Sequence, residues 1–190
     1  VDRFPDVKLL IAGKPIDQDY ADILHKNIIE LELEGRVEFL GSVETDKLVE
    51  LYQRCTLFVF PSTVETFGNP IVEAMACGAP VASSNAAAMP EVAGDAAVYF
   101  DPRNIEHMAS VLSDLLSDPA KRAELSVKSL EHSRSFSWEI TAKKLCMISN
   151  LWRSRRVTKR AWLAAISDWA ASFLLSVRPK SVRRFLITRP

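Results

Sequence analysis

The chain has 190 residues, 48% of them hydrophobic and 25% charged, with 24 basic side chains against 24 acidic ones. That is enough apolar material for one well-buried domain with an appendage, and it argues against a disordered chain. Cys55, Cys77 and Cys146 lack CxxC spacing and sit in apolar contexts, which reads as reduced core thiols of a cytosolic protein. No signal-peptide pattern opens the sequence, and no apolar run reaches the ~20 residues that a membrane span needs.

The net charge of zero hides an asymmetry. Residues 1–150 hold 14 Lys and Arg against 23 Asp and Glu, whereas residues 151–190 hold 10 against the single Asp168. Two regions with different surroundings are expected, an acidic domain over 1–150 and a basic tail over 151–190. The chain starts at Val1 and VDRFPDVKLLIAG enters a core strand almost at once, as a piece of something longer would.

In chain order, short apolar runs alternate with helical patterns. VKLLIAG (7–13) is followed by a helix from about Asp17 to Leu33, VEFLG (37–41) by a helix over TDKLVELYQR, and TLFVFPS (56–62) by a helix from Pro70 to Cys77. PVASSN (80–85), a short turn at MPEVAG and AAVYFD (96–101) come next, then helices near 104–117, 119–134 and 137–152. Strands of four to seven residues without polar alternation, separated by helices, indicate a parallel sheet covered on both faces. The expected fold is a doubly wound, Rossmann-like α/β domain with a parallel sheet of about five strands.

In such sheets ligands bind beyond the carboxyl ends of the strands, so the loops after Ala12, Leu40, Phe60, Ser83 and Phe100 carry the interest. The third of these reads ETFGNPIVE, with Glu65 and Glu73 on either side of a Phe67-Gly68-Asn69-Pro70 corner. Asn69 is expected to cap the following helix and Pro70 to occupy its first turn, while Gly68 permits close approach or positive φ. The corner then offers backbone N–H groups backed by a positive helix end, with both carboxylates facing one crevice. Carboxylates accept pairs of hydroxyl groups, and N–H donors suit phosphate oxygens; a nucleotide sugar has both.

The stretch PSTVETFGNPIVEAMACGAPVASSNAAAMPEVAGDAAVYFDP resembles the donor-binding signature of retaining GT-B glycosyltransferases of family GT4, marked by two glutamates separated by seven residues between a strand and a helix. VEFLGSVETDKLVELY upstream and FSWEITAKKL downstream extend the resemblance over about residues 5–148. It implies that Glu65 contacts hydroxyls of the transferred sugar and orients it for reaction. Backbone N–H groups of Phe67, Gly68 and Asn69 would line the sugar and diphosphate, and Glu73 would hold the ribose hydroxyls. Gly13 would border the phosphates, and Gly41, Ser42 and Val43 would lie near the base. The donor would be UDP- or GDP-linked, the acceptor a glycan or glycolipid, the configuration retained, and no cofactor or metal required.

Asp17-Gln18-Asp19 matches a DxD pattern, but it lies at the entrance of the first helix, where acids cap or complement the dipole. His25, His107 and His132 have no partner at ligand spacing. Relatives carry an N-terminal acceptor-binding domain and a basic Arg and Lys pair that neutralises the diphosphate; neither is recognisable here, and Lys14 reads as a solvated loop residue. The Ala86-Ala87-Ala88 triplet stands where many relatives have Gly or Ser. The resemblance therefore implies a donor-binding half, with a non-catalytic nucleotide-sugar-binding or partner-binding module as the alternative.

From Trp152 basic clusters bracket AWLAAISDWAASFLLSV, where Trp162, Ile166, Trp169, Phe173 and Val177 share one helical stripe. An amphipathic helix of this kind packs against protein or lies on an anionic membrane surface. Without an aromatic-lined sheet or a recognition helix, nucleic acid is not an expected partner. The expected location is the cytoplasm, at or near the inner face of the membrane.

Overall fold

The computed structural model describes residues 3–15, 17–137, 139–143, 146 and 184–189. The chain divides into one unit made of residues 1–133 and 180–190 and a second made of 134–179. In the second unit residues 139–143 are helical, started by the Ser137 hydroxyl accepting the Ile140 N–H at 3.1 Å. The amphipathic stripe from Trp162 to Val177 lies outside the described residues.

The first unit alternates as expected. Strand β1 (Lys8–Ala12) leads to α1 (Gln18–Glu30), β2 (Val37–Gly41) to α2 (Thr45–Arg54), and β3 (Leu57–Phe60) to α3 (Asn69–Ala76). Then come β4 (Val81–Ser84), the short α4 (Met89–Ala93), β5 (Ala97–Phe100), α5 (Ile105–Ser117) and α6 (Pro119–Ser133). Helices α1 and α5 start at side-chain caps: Asp17 accepts the Tyr20 N–H at 3.1 Å, and Asn104 accepts the His107 N–H at 2.9 Å.

Strands β1 to β5 run parallel to one another, and all four residues of β3 and of β4 are buried, which is why these runs carry no polar alternation. The sheet nevertheless holds a sixth strand, β6 (Arg184–Thr188), and its order is β2-β1-β6-β3-β4-β5. Strand β6 runs antiparallel to both neighbours, pairing Leu186 with Leu10 of β1 and with Phe58 of β3. The sheet is therefore mixed, and residues 184–188, which the sequence reading placed in the basic helical tail, are a central strand. The physical reason is local: RFLIT alternates across the pleat, with Leu186 buried in the core beneath α2 and α3 and Ile187 in the core beneath α5 and α6. Neither β1 nor β3 has another partner on that side, so β6 joins a two-strand and a three-strand group into one sheet.

The core on the α2 and α3 side contains Tyr52, Phe58, Phe60, Ile71, Met75 and Met89, all 0–1% exposed. Tyr52 meets Phe58 edge-on at 5.3 Å between ring centroids, and Phe58 stacks on Phe60 at 6.1 Å. Burial of such rings fixes α2 and α3 against the sheet, and with them the loops at the carboxyl edge.

Candidate functional site

Because β1 to β5 are parallel, their following loops gather at one edge of the sheet. Gly13 and Gly41 end the first two strands, and the Gly13 N–H donates to the Gly41 carbonyl at 2.8 Å. Gly41 takes a left-handed φ of 62°, which re-aims the chain into Ser42 and Val43. The Gly13 amide is thus engaged within the protein. Ser42 and Val43 join Leu10, Leu40, Leu51, Glu38, Glu44 and Lys47 around an open groove of about 490 Å³ beside α2.

The loop after β3 is held from within. The Ser84 hydroxyl, at the end of β4, donates to the Ser62 carbonyl at 2.5 Å, tying the two loops together. The Ser62 hydroxyl lies 3.2 Å from the Val64 carbonyl and 3.3 Å from Glu65 Oε1. Glu65 is half-buried, and burial pushes its carboxyl above the usual carboxylate range, opposed by the Ser62 hydrogen bond.

At the corner itself the structure corrects one expectation. Asn69 does not cap α3; it is the first helical residue, and the cap position falls to Gly68, which is left-handed at φ 84°, ψ 51° and makes no side-chain cap. The Gly68 carbonyl accepts the Ile71 N–H at 2.9 Å, so the helix begins one residue earlier than an asparagine cap would allow. Pro70 fits this start because its missing N–H has no intrahelical acceptor. Gly68 is buried against Phe60 and Ile71, Phe67 is half-buried and Asn69 is exposed, so the corner turns its polar side outward.

Glu73 lies one turn into α3, half-buried, and its Oε2 is a meeting point. Tyr52 of α2 donates its hydroxyl to Oε2 at 3.1 Å, and Arg184 of β6 donates through Nη2 at 3.0 Å and Nε at 3.3 Å. Arg184 Nε also donates to the Tyr52 hydroxyl oxygen at 2.8 Å. Burial, and then the Glu73 charge, push the Tyr52 phenol far above its ordinary value, so it stays a donor. For Arg184 burial works against the charge, but Tyr52 and Glu73 outweigh it and raise the guanidinium pKa.

Tyr52 and Arg184 were not identified from sequence. Tyr52 falls in the apolar stripe of α2, where its ring reads as core; Arg184 reads as one basic residue among many. The residues expected at the site otherwise lie at the one edge, with Glu65 bound to its own loop through Ser62 and Glu73 bound to α2 and β6. Among the described residues no group of three or more His, Cys, Asp or Glu is placed to hold a metal ion. His132 contacts the Val92 carbonyl at 2.9 Å, and His107 Nδ1 accepts the Asp101 N–H at 3.2 Å.

The strand-corner-helix unit with its two glutamates lies within residues 1–131, which the model of the glycosyl transferases group 1 family matches. The chain belongs to that family. It is similar to the O-antigen chain mannosyltransferase B of Escherichia coli, 37% identical over 72% of this chain and 35% of that protein. It is also 31% identical to the D-inositol 3-phosphate glycosyltransferase of Mycolicibacterium smegmatis, over 98% of this chain and 41% of that protein. Among solved structures, HepE of Anabaena in complex with UDP and glucose superposes with a TM-score of 0.67 at 29% identity, over 74% of this chain and 40% of that one. The chain spans about a third to two fifths of the length of these relatives.

Proposed function

We propose that this domain binds the nucleotide sugar donor of a glycosyltransferase, and that the complete enzyme transfers the sugar to a glycan or glycolipid with retention of configuration. The carrying observation is the corner itself: Glu65 and Glu73 flank the amino end of α3, each held by its own hydrogen bonds at the carboxyl edge of the sheet. The UDP and glucose named for HepE support a nucleotide sugar as ligand. The mannosyltransferase activity of the Escherichia coli relative supports polysaccharide assembly as the setting. UDP- and GDP-linked donors both suit the chemistry.

In this reading Glu73 holds ribose hydroxyls, Glu65 holds hydroxyls of the transferred sugar, and the N–H groups of Phe67, Gly68 and Asn69 face the sugar and diphosphate. Gly13 borders the phosphates with its backbone, its own amide being engaged by Gly41, and Gly41, Ser42 and Val43 lie towards the base. Cleavage of the anomeric bond leaves positive charge on the sugar and negative charge on the diphosphate. Donors fixed at a helix start stabilise the second charge without reorganising as it forms. Departure and attack on one face of the sugar require no protein nucleophile. Acceptor recognition falls to an N-terminal domain or chain, and the reaction belongs in the cytoplasm, where the basic residues ahead of β6, from 151 on, suit the inner membrane face by their charge. Among the described residues no helix is long and apolar enough to cross a membrane.

The test separates sugar from nucleotide. In the full-length enzyme Glu65→Gln should lower the transfer rate by about 10²-fold, as the loss of a group that orients the reacting sugar does, while affinity for the free nucleoside diphosphate stays within about twofold. Equal loss of both would remove Glu65 from the sugar.

A further inference from the structure

From Cys55 to Pro102 the sequence contains no Lys or Arg, although this stretch supplies the loops after β3 and β4. A guanidinium nevertheless stands at their edge, carried there by the antiparallel run of β6. Arg184 is the first residue of that strand and pairs with Ala12, the last residue of β1, so the amino end of β6 meets the carboxyl ends of its neighbours. The donors on Glu73 all converge on one oxygen. Oε2 receives the Tyr52 hydroxyl and two nitrogens of Arg184, whereas among the described residues no hydrogen bond is made to Oε1. Tyr52 is 1% exposed and its ring is fixed by Phe58, so its hydroxyl cannot swing away from this triangle. The Glu73 side chain keeps 42% of its surface open, enough for a ligand to reach the second oxygen.

We propose that Arg184 and Tyr52 are positioning residues for Glu73: they anchor Oε2 and so present Oε1 to the ribose hydroxyls of a nucleoside diphosphate. The inference rests on the donor-site reading above. It makes the far end of the chain part of the site, because Glu73 is held in place only when β6 is docked between β1 and β3. A carboxylate on a flexible glutamate loses side-chain freedom on binding; one already anchored has lost it beforehand.

The experiment is titration calorimetry of the 190-residue chain with UDP and with GDP, on the wild type and on Glu73→Ala, Arg184→Gln, Tyr52→Phe and the double variant Arg184→Gln/Glu73→Ala. Arg184→Gln should weaken the bound nucleotide about tenfold and Tyr52→Phe about threefold, the range for the net contribution of a single hydrogen bond. Tyr52→Phe keeps the buried ring, so its effect is read without loss of packing. The double variant should bind no more weakly than Glu73→Ala alone, because both residues act through one carboxylate. A merely structural role for Arg184 would add its loss to that of Glu73→Ala, and additive losses would overturn the proposal. If Glu73→Ala weakens binding while Arg184→Gln and Tyr52→Phe leave it unchanged, the donor reading stands and the positioning role is gone. Tighter binding by Arg184→Gln would equally overturn it and make the ion pair a latch that the ligand must open. Absence of binding to the wild type, or an unchanged Glu73→Ala, would take the donor reading down and this proposal with it.

Discussion

The two sides of the sheet differ in how they are covered. In β3 and β4 every residue is buried, whereas in β1 only Ile11 and Ala12 reach that state and in β2 none does. Large apolar side chains left in solvent gather on the helix between β1 and β2, where Tyr20 and Ile23 are each 54% exposed. The three-strand side supplies its own apolar cover; the two-strand side depends on β6 for its connection to the rest. Glu65, Gly68 and Glu73 stand on the fully buried side, Gly13, Gly41, Ser42 and Val43 on the other, and the cation that reaches Glu73 comes in on the joining strand. A binding corner placed on the better-packed elements is held more accurately than one on a loosely covered edge.

Truncations in the core should break this comparison with the largest effect. Phe58 and Leu186 are both 0% exposed and face each other in register across β3 and β6. Phe58→Ala should cost about 3–5 kcal/mol and Leu186→Ala about 2–5 kcal/mol of unfolding free energy, measured by urea denaturation. If β6 is the joint between the two groups, Leu186→Ala should also loosen β1 and β2 more than β4 and β5 in amide hydrogen exchange. Uniform loss of protection would deny β6 that role.

A smaller effect is expected at the loop after β4. Ala87 takes a left-handed φ of 48°, a conformation that burdens any residue with a Cβ. Ala87→Gly should therefore stabilise the fold, by about 0.5–1 kcal/mol after the added freedom of the unfolded glycine is counted. A destabilised variant would mean that the exposed methyl group makes a contact that matters.

The smallest effect concerns Glu65. Its carboxyl is raised by burial from the ordinary value of 4.5, so the folded chain keeps this proton to higher pH than the unfolded chain does. Ionisation of Glu65 thus takes stability away as pH rises through the raised pKa, and below about pH 4.5 the penalty is absent. Glu65→Gln should gain stability over the wild type at pH 7, with the gain fading as pH falls below 4.5, in thermal unfolding across pH. The gain should be modest, because the group is half open to water. A gain that persists at low pH would assign it to the amide's own contacts.

Much of the fold was legible because its signals are local. Leu57 to Phe60 is a continuous apolar run between polar ends, and Asp17 and Asn104 announce helix starts through the side chains that cap them. The acidic corner was legible in the same way, as a Gly-Asn-Pro turn between two glutamates. What escaped depends on distance along the chain. Nothing in RFLIT names its partners, which lie more than 100 residues away, and the arginines around it made the segment read as tail. Tyr52 was hidden by its own ring, since a tyrosine on an apolar stripe looks like core until its hydroxyl is seen to reach Glu73. At the helix start, Asn69 and Gly68 compete for the cap, and the left-handed freedom of glycine decides it.

The proposed seat of the donor nucleotide is the corner between β3 and α3. It is tested most directly by following backbone amide resonances of the 190-residue chain while UDP or GDP is added. Saturable shifts are expected at Gly68, Asn69 and Glu73, with Ser42 and Val43 moving as the base is seated and the far ends of the strands unmoved. Saturable binding that shifts only residues elsewhere, or no shift with either nucleotide at millimolar concentration, would contradict it.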